Sequence, residues 1–466
     1  MKVPTGDSQA PSPSTVRADR LNQDALRLRL QGDNHAATEL MRRAVLLDPD
    51  RAELHSNLAQ LLDEGDDSTA ALAAYAQALA LDPHLAAACR GSAIIRQRTG
   101  ELALAERAYR QVLAILPNDV GAHLALYELL QIRGERTEAI EHQTAALAHQ
   151  QLYSFPAKTP QRQILALCAP GDWQANIPLE FLFDQSVTSV HKLYLCDPSQ
   201  LRQLRVPPYE IVFNAIAESD SALDPLGMAS LFLKSQDRPH LNSPAAVLRT
   251  NRVALQAVAR GVDCVLPQTL RLAHSAVPQH EHEYPLLIRP VGSHAGHDLE
   301  KIDDAGALRD YLGRIDAPEL YITSFVEYRR PDGFYRKYRI IFVDGVPYPC
   351  HLAISPNWMI HYYNAPMAEN AWMRAEEAAF LGEFEKVFGP KLQQVLCSLA
   401  TAVGLDYFGI DCSIAPDGRL LLFEADAAMI VHLGDPKDLY PYKHQYIPRI
   451  FAALERMIDT RIARSN

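Results

Sequence analysis

Three prolines at a constant spacing of 34 residues constrain the first third of this chain more than any other feature. Pro49, Pro83 and Pro117 each follow an apolar, alanine- and leucine-rich run. Proline lacks the amide donor that a helix interior needs and clashes with the preceding turn, so each proline ends a helix. Turn glycines recur at nearly the same interval, at Gly65, Gly100 and Gly134. We therefore predict helix–turn–helix units that repeat every 34 residues.

This period resembles that of the tetratricopeptide repeat. Ala44 and Ala78, each five residues before its proline, are small enough for paired helices to approach closely, whereas Val112 stands at that place in the next repeat. We predict about four repeats over residues 19–151. Stacked repeats form a solenoid with a concave groove, which we expect to bind a peptide or protein. A scaffold or a dimerisation surface is the alternative.

The remaining two thirds of the chain have a different pattern. Short apolar runs at 163–169, 192–196 and 210–216 alternate with helical segments, which is typical of a parallel sheet. Further along, KYRIIFVDGVPYPCHLAI and GIDCSIAPDGRLLLFEAD predict two β-hairpins with Asp-Gly turns. The predicted fold class is therefore multidomain, with an all-α repeat solenoid followed by α/β and α+β domains.

The second hairpin carries three acids. Glu424 and Asp426 are two residues apart, so both side chains point to one face of a strand, and Asp411 is expected roughly opposite Glu424. Carboxylates crowded together repel one another unless cations lie between them, and Mg²⁺ prefers oxygen ligands. We therefore predict a magnesium site that bridges to a nucleotide. The alternative is neutralisation by arginines such as Arg339 or Arg419.

The segment from about Ser243 to Ile458 resembles the ATP-grasp superfamily, in the branch of D-alanine–D-alanine ligase and ribosomal-protein glutamate ligase. The run GIDCSIAPDGRLLLFEAD is its most specific part, because it is similar to the metal-binding hairpin of that family. The resemblance implies a Rossmann-like pre-ATP-grasp domain at 152–242 and an ATP-grasp domain at 243–466, with a hinge near 323–328. The polar, Pro/Ser-rich residues 1–18 are predicted to be a disordered tail.

The resemblance also implies site residues. Asp411 and Glu424 match the two acidic magnesium ligands of the family, and Asp426 stands where the family has asparagine; two Mg²⁺ ions and ATP are the implied cofactors. Arg339 matches the arginine that contacts the transferred phosphate.

Two further positions depart from the family. Arg252 and Arg289 stand where phosphate-binding lysines are usual; arginine keeps the positive charge but binds with a different geometry. The loop that would close over the phosphates contains Gly292, Ser293, Ala295 and Gly296.

Other implied roles concern adenine and the second substrate. The hinge residues Phe325, Val326 and Glu327 would contact adenine and ribose. His361 and Asn364, expected on a strand, would face the substrate, and His351 and His432 are further candidates of this kind.

The resemblance implies an ATP-dependent carboxylate–amine ligase that works through an acyl phosphate, with the repeat groove docking a peptide or protein substrate. The two lysine-to-arginine positions motivate an alternative, a catalytically weak ATP-binding adaptor for protein interaction. A phosphotransferase is a third possibility.

Composition limits the partners and the compartment. The net charge is −11 with no basic block, which argues against nucleic acid and anionic membranes as partners. No apolar run approaches the roughly 20 residues that span a bilayer. The seven cysteines are scattered and form no CxxC pair, which favours reduced thiols and a cytoplasmic location.

Overall fold

The chain consists of two compact units, Met1–Gln150 and Gln151–Asn466. The division between them lies one residue before the boundary predicted after residue 151. The computed structural model describes residues 12–201, 205–278, 283–293, 296–361 and 364–465.

The first unit is a series of antiparallel helix pairs. Its helices are α1 (Pro13–Leu30), α2 (Asn34–Leu47), α3 (Ala52–Glu64), α4 (Ser68–Leu81), α5 (Ala86–Arg98), α6 (Leu102–Ile115), α7 (Val120–Arg133) and α8 (Arg136–His149). The second helix of each pair begins at residue 34, 68, 102 or 136, so the predicted period of 34 is confirmed. Four such pairs, each packed on the next, have the architecture of a tetratricopeptide solenoid.

The prolines act as predicted. The helices α2, α4 and α6 end two residues before Pro49, Pro83 and Pro117 respectively. The alanines at 44 and 78 are completely buried between helices.

Part of the predicted disordered tail is ordered. The helix α1 begins at Pro13, where the Ser12 hydroxyl accepts a hydrogen bond from the Thr15 amide. Residues 13–18 are therefore helical, because a serine cap followed by proline is a strong helix start. Residues 1–11 of the predicted tail lie outside the described part of the chain.

In its described residues, the second unit combines three sheets with helices. Its strands are β1 (Leu152–Phe155), β2 (Arg162–Cys168), β3 (Thr188–Tyr194), β4 (Ile211–Asn214), β5 (His240–Leu241), β6 (Cys264–Val265), β7 (Thr269–Ala273), β8 (Leu286–Pro290), β9 (Glu300–Ile302), β10 (Glu319–Ser324), β11 (Tyr335–Val343), β12 (Val346–Ser355), β13 (Tyr407–Ile414) and β14 (Leu420–Asp426). Its helices are α9 (Leu179–Leu182), α10 (Pro198–Leu201), α11 (Leu223–Lys234), α12 (Pro244–Val247), α13 (Ala254–Ala259), α14 (Ala305–Arg314), α15 (Ala371–Gly382), α16 (Phe384–Val403), α17 (Pro441–Tyr446) and α18 (Pro448–Ala463).

The strands of each sheet are close in sequence, except that β6 precedes the second sheet along the chain and pairs with β14 of the third. The first has the order β1-β3-β2-β4-β5, in which β2 to β5 are parallel, as predicted, and β1 is antiparallel. The second, β7-β10-β8-β9, is antiparallel. The third, β12-β11-β13-β14-β6, contains both predicted hairpins. The first sheet ends at Leu241, next to the predicted domain limit at 242, although all three sheets belong to one compact unit.

The Asp-Gly turns set the register of the hairpins. Asp344 and Gly345 have φ values of 50° and 79°, and Gly418 has a φ of 82°, all in the left-handed region that tight hairpin turns require. Among the described residues, no helix combines the length and the apolar character that crossing a membrane demands.

Candidate functional site

Four polar residues form a row across the third sheet. His351 on β12 pairs with Arg339 on β11, Arg339 with Asp411 on β13, and Asp411 with Glu424 on β14. Directly paired residues of antiparallel strands project to the same face, so the predicted apposition of Asp411 and Glu424 is confirmed. The register shifts beside Arg339 and beside Asp411, and such bulges re-aim side chains near functional sites.

Asp411 is the buried centre of this row. Its carboxylate accepts hydrogen bonds from Arg339 Nε at 2.9 Å and Nη2 at 3.1 Å, and Lys337 Nζ lies 3.0 Å away. Burial raises the pKa of Asp411, but the charges of Arg339 and Lys337 outweigh burial and hold the pKa well below its usual value. Asp411 is therefore an ionised carboxylate between two cations. Lys337 was not predicted, although its position two residues before Arg339 places it on the same face.

Glu424 meets a cation from a distant part of the chain. Arg252 Nη2 lies 2.5 Å from Glu424 Oε2, and about a third of each side chain is exposed. Burial raises the pKa of Glu424, but the positive charges around it, above all that of Arg252, lower the pKa by more. The net shift is therefore downward. Arg419, the other arginine considered as a neutralising partner, pairs instead with Asp417 in the hairpin turn.

Asp426 has a different environment from the other two acids. Its Oδ1 accepts the Ala428 amide at 2.8 Å. Burial raises its pKa to about 6, with the Ala428 hydrogen bond opposing this shift and the charge of Glu424 adding to it.

The three acids thus lie on one strand pair, but cationic side chains of the chain itself hold two of them. Within the described ranges, no group of three or more His, Cys, Asp or Glu side chains is arranged to hold a metal ion. The pairing of Asp411 with Arg339 is what the neutralisation hypothesis predicted. Two ionised carboxylates on directly opposed residues are nevertheless the oxygen-donor chemistry that Mg²⁺ takes.

Arg289 adds positive charge beside Glu424. It lies on β8, is 8% exposed, and donates from Nε to Ser293 Oγ at 2.9 Å as well as to the Ser293 carbonyl. Burial lowers its pKa to about 10, and the neighbouring Arg252 charge lowers it too. Two guanidinium groups close enough to repel each other favour an anion between them.

The loop after β8 is built on glycines where the chain turns sharply. Gly292 and Gly296 have φ values of 78° and 76°, which side-chain-bearing residues rarely adopt. Ala295, the other predicted member of this loop, lies outside the described residues.

A small cavity of about 60 Å³ lies beside Arg252. Its lining residues are Glu218, Ser219, Asp220, Arg252, Val291, Gly292, Ser293 and Tyr321. Burial raises the pKa of Glu218, whose Oε1 accepts a hydrogen bond from Asn251 at 2.9 Å. Glu218 was not predicted from the sequence, although it follows β4 at the carboxyl edge of the parallel sheet, where ligands commonly bind.

The predicted hinge is an irregular segment. The strand β10 ends at Ser324, and Phe325 then packs edge-on against Trp358 with ring centroids 5.8 Å apart. Glu327 accepts hydrogen bonds from the Arg329 amide at 2.9 Å and from the Tyr335 hydroxyl at 3.3 Å. Val326 is partly buried and packs against a small apolar cluster.

His361 and Asn364 lie in a loop instead of the predicted strand, because β12 already ends at Ser355. Asn364 braces this loop by accepting the His361 amide at 2.7 Å and donating to the Met359 carbonyl at 3.1 Å. Burial lowers the pKa of His361, and the nearby charges of Lys337 and Arg339 lower it as well, so this histidine lies beside the charged row.

No known family profile matches the sequence, and no curated protein matches it either. Among solved structures, the crystal structure of MamA is similar at 25% identity over 28% of this chain and 77% of that chain, with a TM-score of 0.27. The first TPR of Spaghetti (RPAP3) bound to an HSP90 peptide is similar at 22% identity, covering 26% and 95%, with a TM-score of 0.25. The Arabidopsis OM64 TPR domain follows at 16% identity, covering 25% and 98%, also with a TM-score of 0.25.

Proposed function

We propose that the second unit is an ATP-dependent carboxylate–amine ligase. The observation that carries this proposal is the row Arg339–Asp411–Glu424, flanked by Arg252 and Arg289. Acidic and basic side chains meet on one face there, next to a glycine-containing loop. This combination suits a phosphate chain together with cations.

The charges of the site favour a polyanion. Four cationic side chains, Lys337, Arg339, Arg252 and Arg289, face the three carboxylates of β13 and β14, so positive charge exceeds negative charge before any ligand binds. ATP would draw the guanidinium groups toward its phosphates and release the carboxylates of Asp411 and Glu424, with Asp426 as a third oxygen donor. Mg²⁺, held by these residues, would supply charge neutralisation at the phosphate oxygens.

The chemistry asks mainly for alignment and charge stabilisation by the chain. An oxygen of the substrate carboxylate attacks the γ-phosphorus while the bond to the bridging oxygen of ADP breaks. The amine nitrogen then attacks the acyl carbon, phosphate leaves, and the amine loses a proton. Arg339 and Arg289 would stabilise charge on the transferred group, and the loop at 292–296 would exclude water from the acyl phosphate.

The repeat unit would dock a peptide or protein substrate. The first helices of successive helix pairs contact one another. The helix α3 packs against α5, and Arg29 on α1 forms an ion pair with Glu64 on α3 at 2.6 Å. A continuous surface of stacked helices is what an extended peptide needs. Docking would raise the concentration of the peptide at the ligase.

A second candidate function is an ATP-binding adaptor with little turnover. The specific observation that favours it is the pairing of Asp411 with both Arg339 and Lys337, which occupies the oxygens that a metal would need.

Trapping of the acyl phosphate distinguishes these functions. The full chain would be incubated with Mg²⁺, ATP, hydroxylamine and a pool of the twenty standard amino acids or of synthetic peptides. A ligase forms ADP and a hydroxamate together, and Asp411→Asn loses both, whereas Asp417→Asn on the same hairpin retains them. ATP binding without ADP formation would identify the adaptor, and a stable phosphorylated product would identify a phosphotransferase.

A further inference from the structure

A second cavity, of about 420 Å³, lies beside the segment that follows β14. Its walls come from α9, from the loop at 432–434 and from α18; the lining residues are Glu180, Phe181, His432, Leu433, Gly434 and Phe451. Sites for small organic molecules span roughly 300–1,000 Å³ and are mostly apolar with a few polar groups. Three large apolar side chains with one carboxylate and one imidazole match that description.

The loop that lines this cavity folds back over the charged face of the third sheet. Gly409 lies opposite Asp426 and two residues before Asp411, so its missing side chain would project to their face. A Cβ at Gly409 would lie 2.5 Å from the Cβ of Met429, and the Tyr407 hydroxyl donates to the Met429 carbonyl at 3.1 Å. The loop therefore packs directly on the face that carries the acids.

His432 lines the cavity, and the charge of Arg339 in the row affects its pKa. Burial lowers the pKa of His432; Asp435 opposes this shift, and the charges of Lys443 and Arg339 add to it. Its Nδ1 accepts the Gly434 amide at 3.1 Å, so the neutral ring carries its proton on Nε2. The imidazole is thus a neutral group within electrostatic reach of Arg339.

The apolar walls define the class of ligand. Phe181 is 54% exposed, so its ring is accessible to a ligand that enters the cavity. Glu180 is held in an ion pair with Lys192, so the side chains of Phe181, Leu433 and Phe451 dominate the walls. An apolar side chain of a ligand complements such a surface.

We propose that this cavity binds the apolar side chain of an amino-acid substrate, aromatic or large aliphatic, and presents its polar end to the charged row. This inference rests on the proposed ligase function. Phe181, Leu433 and Phe451 contact the side chain and determine specificity, whereas glycine or acidic amino acids fit poorly.

Calorimetric titration of the full chain with L-phenylalanine and with glycine, in the presence of Mg²⁺ and a non-hydrolysable ATP analogue, tests this assignment. L-phenylalanine is expected to bind at least about tenfold more tightly than glycine. Phe181→Ala should weaken L-phenylalanine binding about tenfold, and Phe451→Ala provides a second, independent wall variant. Leu231→Ala removes a 69% exposed apolar side chain from α11, outside the cavity, and should change nothing.

Equal affinity for L-phenylalanine and glycine, or unchanged affinity in both wall variants, would overturn the assignment. The nucleotide analogue is titrated into the same samples. Loss of nucleotide binding in the wild-type chain contradicts the ligase function, whereas a failure of the cavity alone leaves nucleotide binding intact, so the two failures are distinguishable.

Discussion

Glu377 is the most deeply buried acid near the charged row. It is fully buried on α15, and its carboxylate contacts His351 Nδ1 at 2.5 Å, the Tyr442 hydroxyl at 2.7 Å and Lys443 Nζ at 3.3 Å. Burial raises its pKa, but His351 and Lys443 lower it by more. Because His351 pairs with Arg339, this network holds the His351 end of the row in position.

Glu377→Gln should destabilise the second unit strongly. The substitution leaves the buried Lys443 ammonium with less negative charge around it, and breaking a buried ion pair from one side costs about 3–5 kcal/mol. Urea unfolding followed by tryptophan fluorescence measures the loss. Glu383→Gln, at an exposed pair with Lys386, should change the free energy of unfolding by less than about 0.5 kcal/mol. Equal stability of both variants would show that the network is unimportant.

Arg162 and Asp459 provide a pH-dependent contact between β2 and α18. The guanidinium donates to Asp459 at 2.5 and 2.9 Å, and this hydrogen bonding lowers the pKa of Asp459 from 3.8. An acid whose pKa is lower in the folded chain than in the unfolded chain stabilises the fold at pH values above its unfolded pKa. This contribution disappears as the pH falls through its folded pKa. Since half of the Asp459 side chain is exposed, we expect about 0.5 kcal/mol at neutral pH.

Comparison of wild-type chain and Asp459→Asn by urea unfolding at pH 7 and pH 3 checks this prediction. The difference in free energy of unfolding should shrink at the lower pH. A difference that stays constant or grows at pH 3 would contradict the assigned contact.

At the scale of elements, the hairpin of β13 and β14 and the loop after it form the centre of the candidate site. Gly409 permits this arrangement, since a Cβ at this position would meet the Met429 side chain at 2.5 Å and Ile341 Cδ1 at 2.9 Å. Packing of the loop therefore depends on one missing methyl group.

Gly409→Ala should lower the free energy of unfolding by about 1–3 kcal/mol, the usual cost of overpacking a core. Gly313→Ala in α14 is the matched control, because nothing lies within 4 Å of the point that its added Cβ would occupy. That control should stabilise the chain by about 0.5–1 kcal/mol, since alanine favours helix more than glycine does. Thermal or urea unfolding that showed the same sign for both variants would refute the role of Gly409.

The elements differ in how far the sequence predicts them. The period of 34 residues and the Asp-Gly turns act locally, so the helix pairs, the two hairpins and the apposition of Asp411 and Glu424 could be predicted. The pairing of Arg252 with Glu424 joins residues 172 positions apart, and no spacing rule encodes it. Phe181 and Phe451 are likewise distant in sequence and line one cavity through tertiary packing alone, so their proximity could not be predicted from spacing.

At the scale of the whole molecule, the chain consists of two units with separate cores. The first unit contains its own apolar clusters of alanine, leucine and tyrosine between stacked helices. Repeat arrays are stabilised by contacts between neighbours along the chain, so they do not need a distant domain to fold.

A chain of residues 1–150 should therefore fold alone. We expect helical circular dichroism and a cooperative urea transition from this segment, and the same transition within the unfolding profile of the full chain. A segment that remained unfolded would mean that the first unit depends on residues beyond 150.

The central claim is that Asp411 and Glu424 hold cations that bind the phosphates of ATP. Calorimetric titration of ATP into the full chain, with and without Mg²⁺, tests it most directly. We predict that Mg²⁺ strengthens ATP binding to the wild-type chain by about tenfold or more, equal to about 1.4 kcal/mol. Asp411→Asn should abolish this enhancement, because a neutral amide replaces a carboxylate ligand of Mg²⁺, whereas Asp417→Asn should keep it. Absence of ATP binding, or an undiminished Mg²⁺ enhancement in Asp411→Asn, would contradict the account.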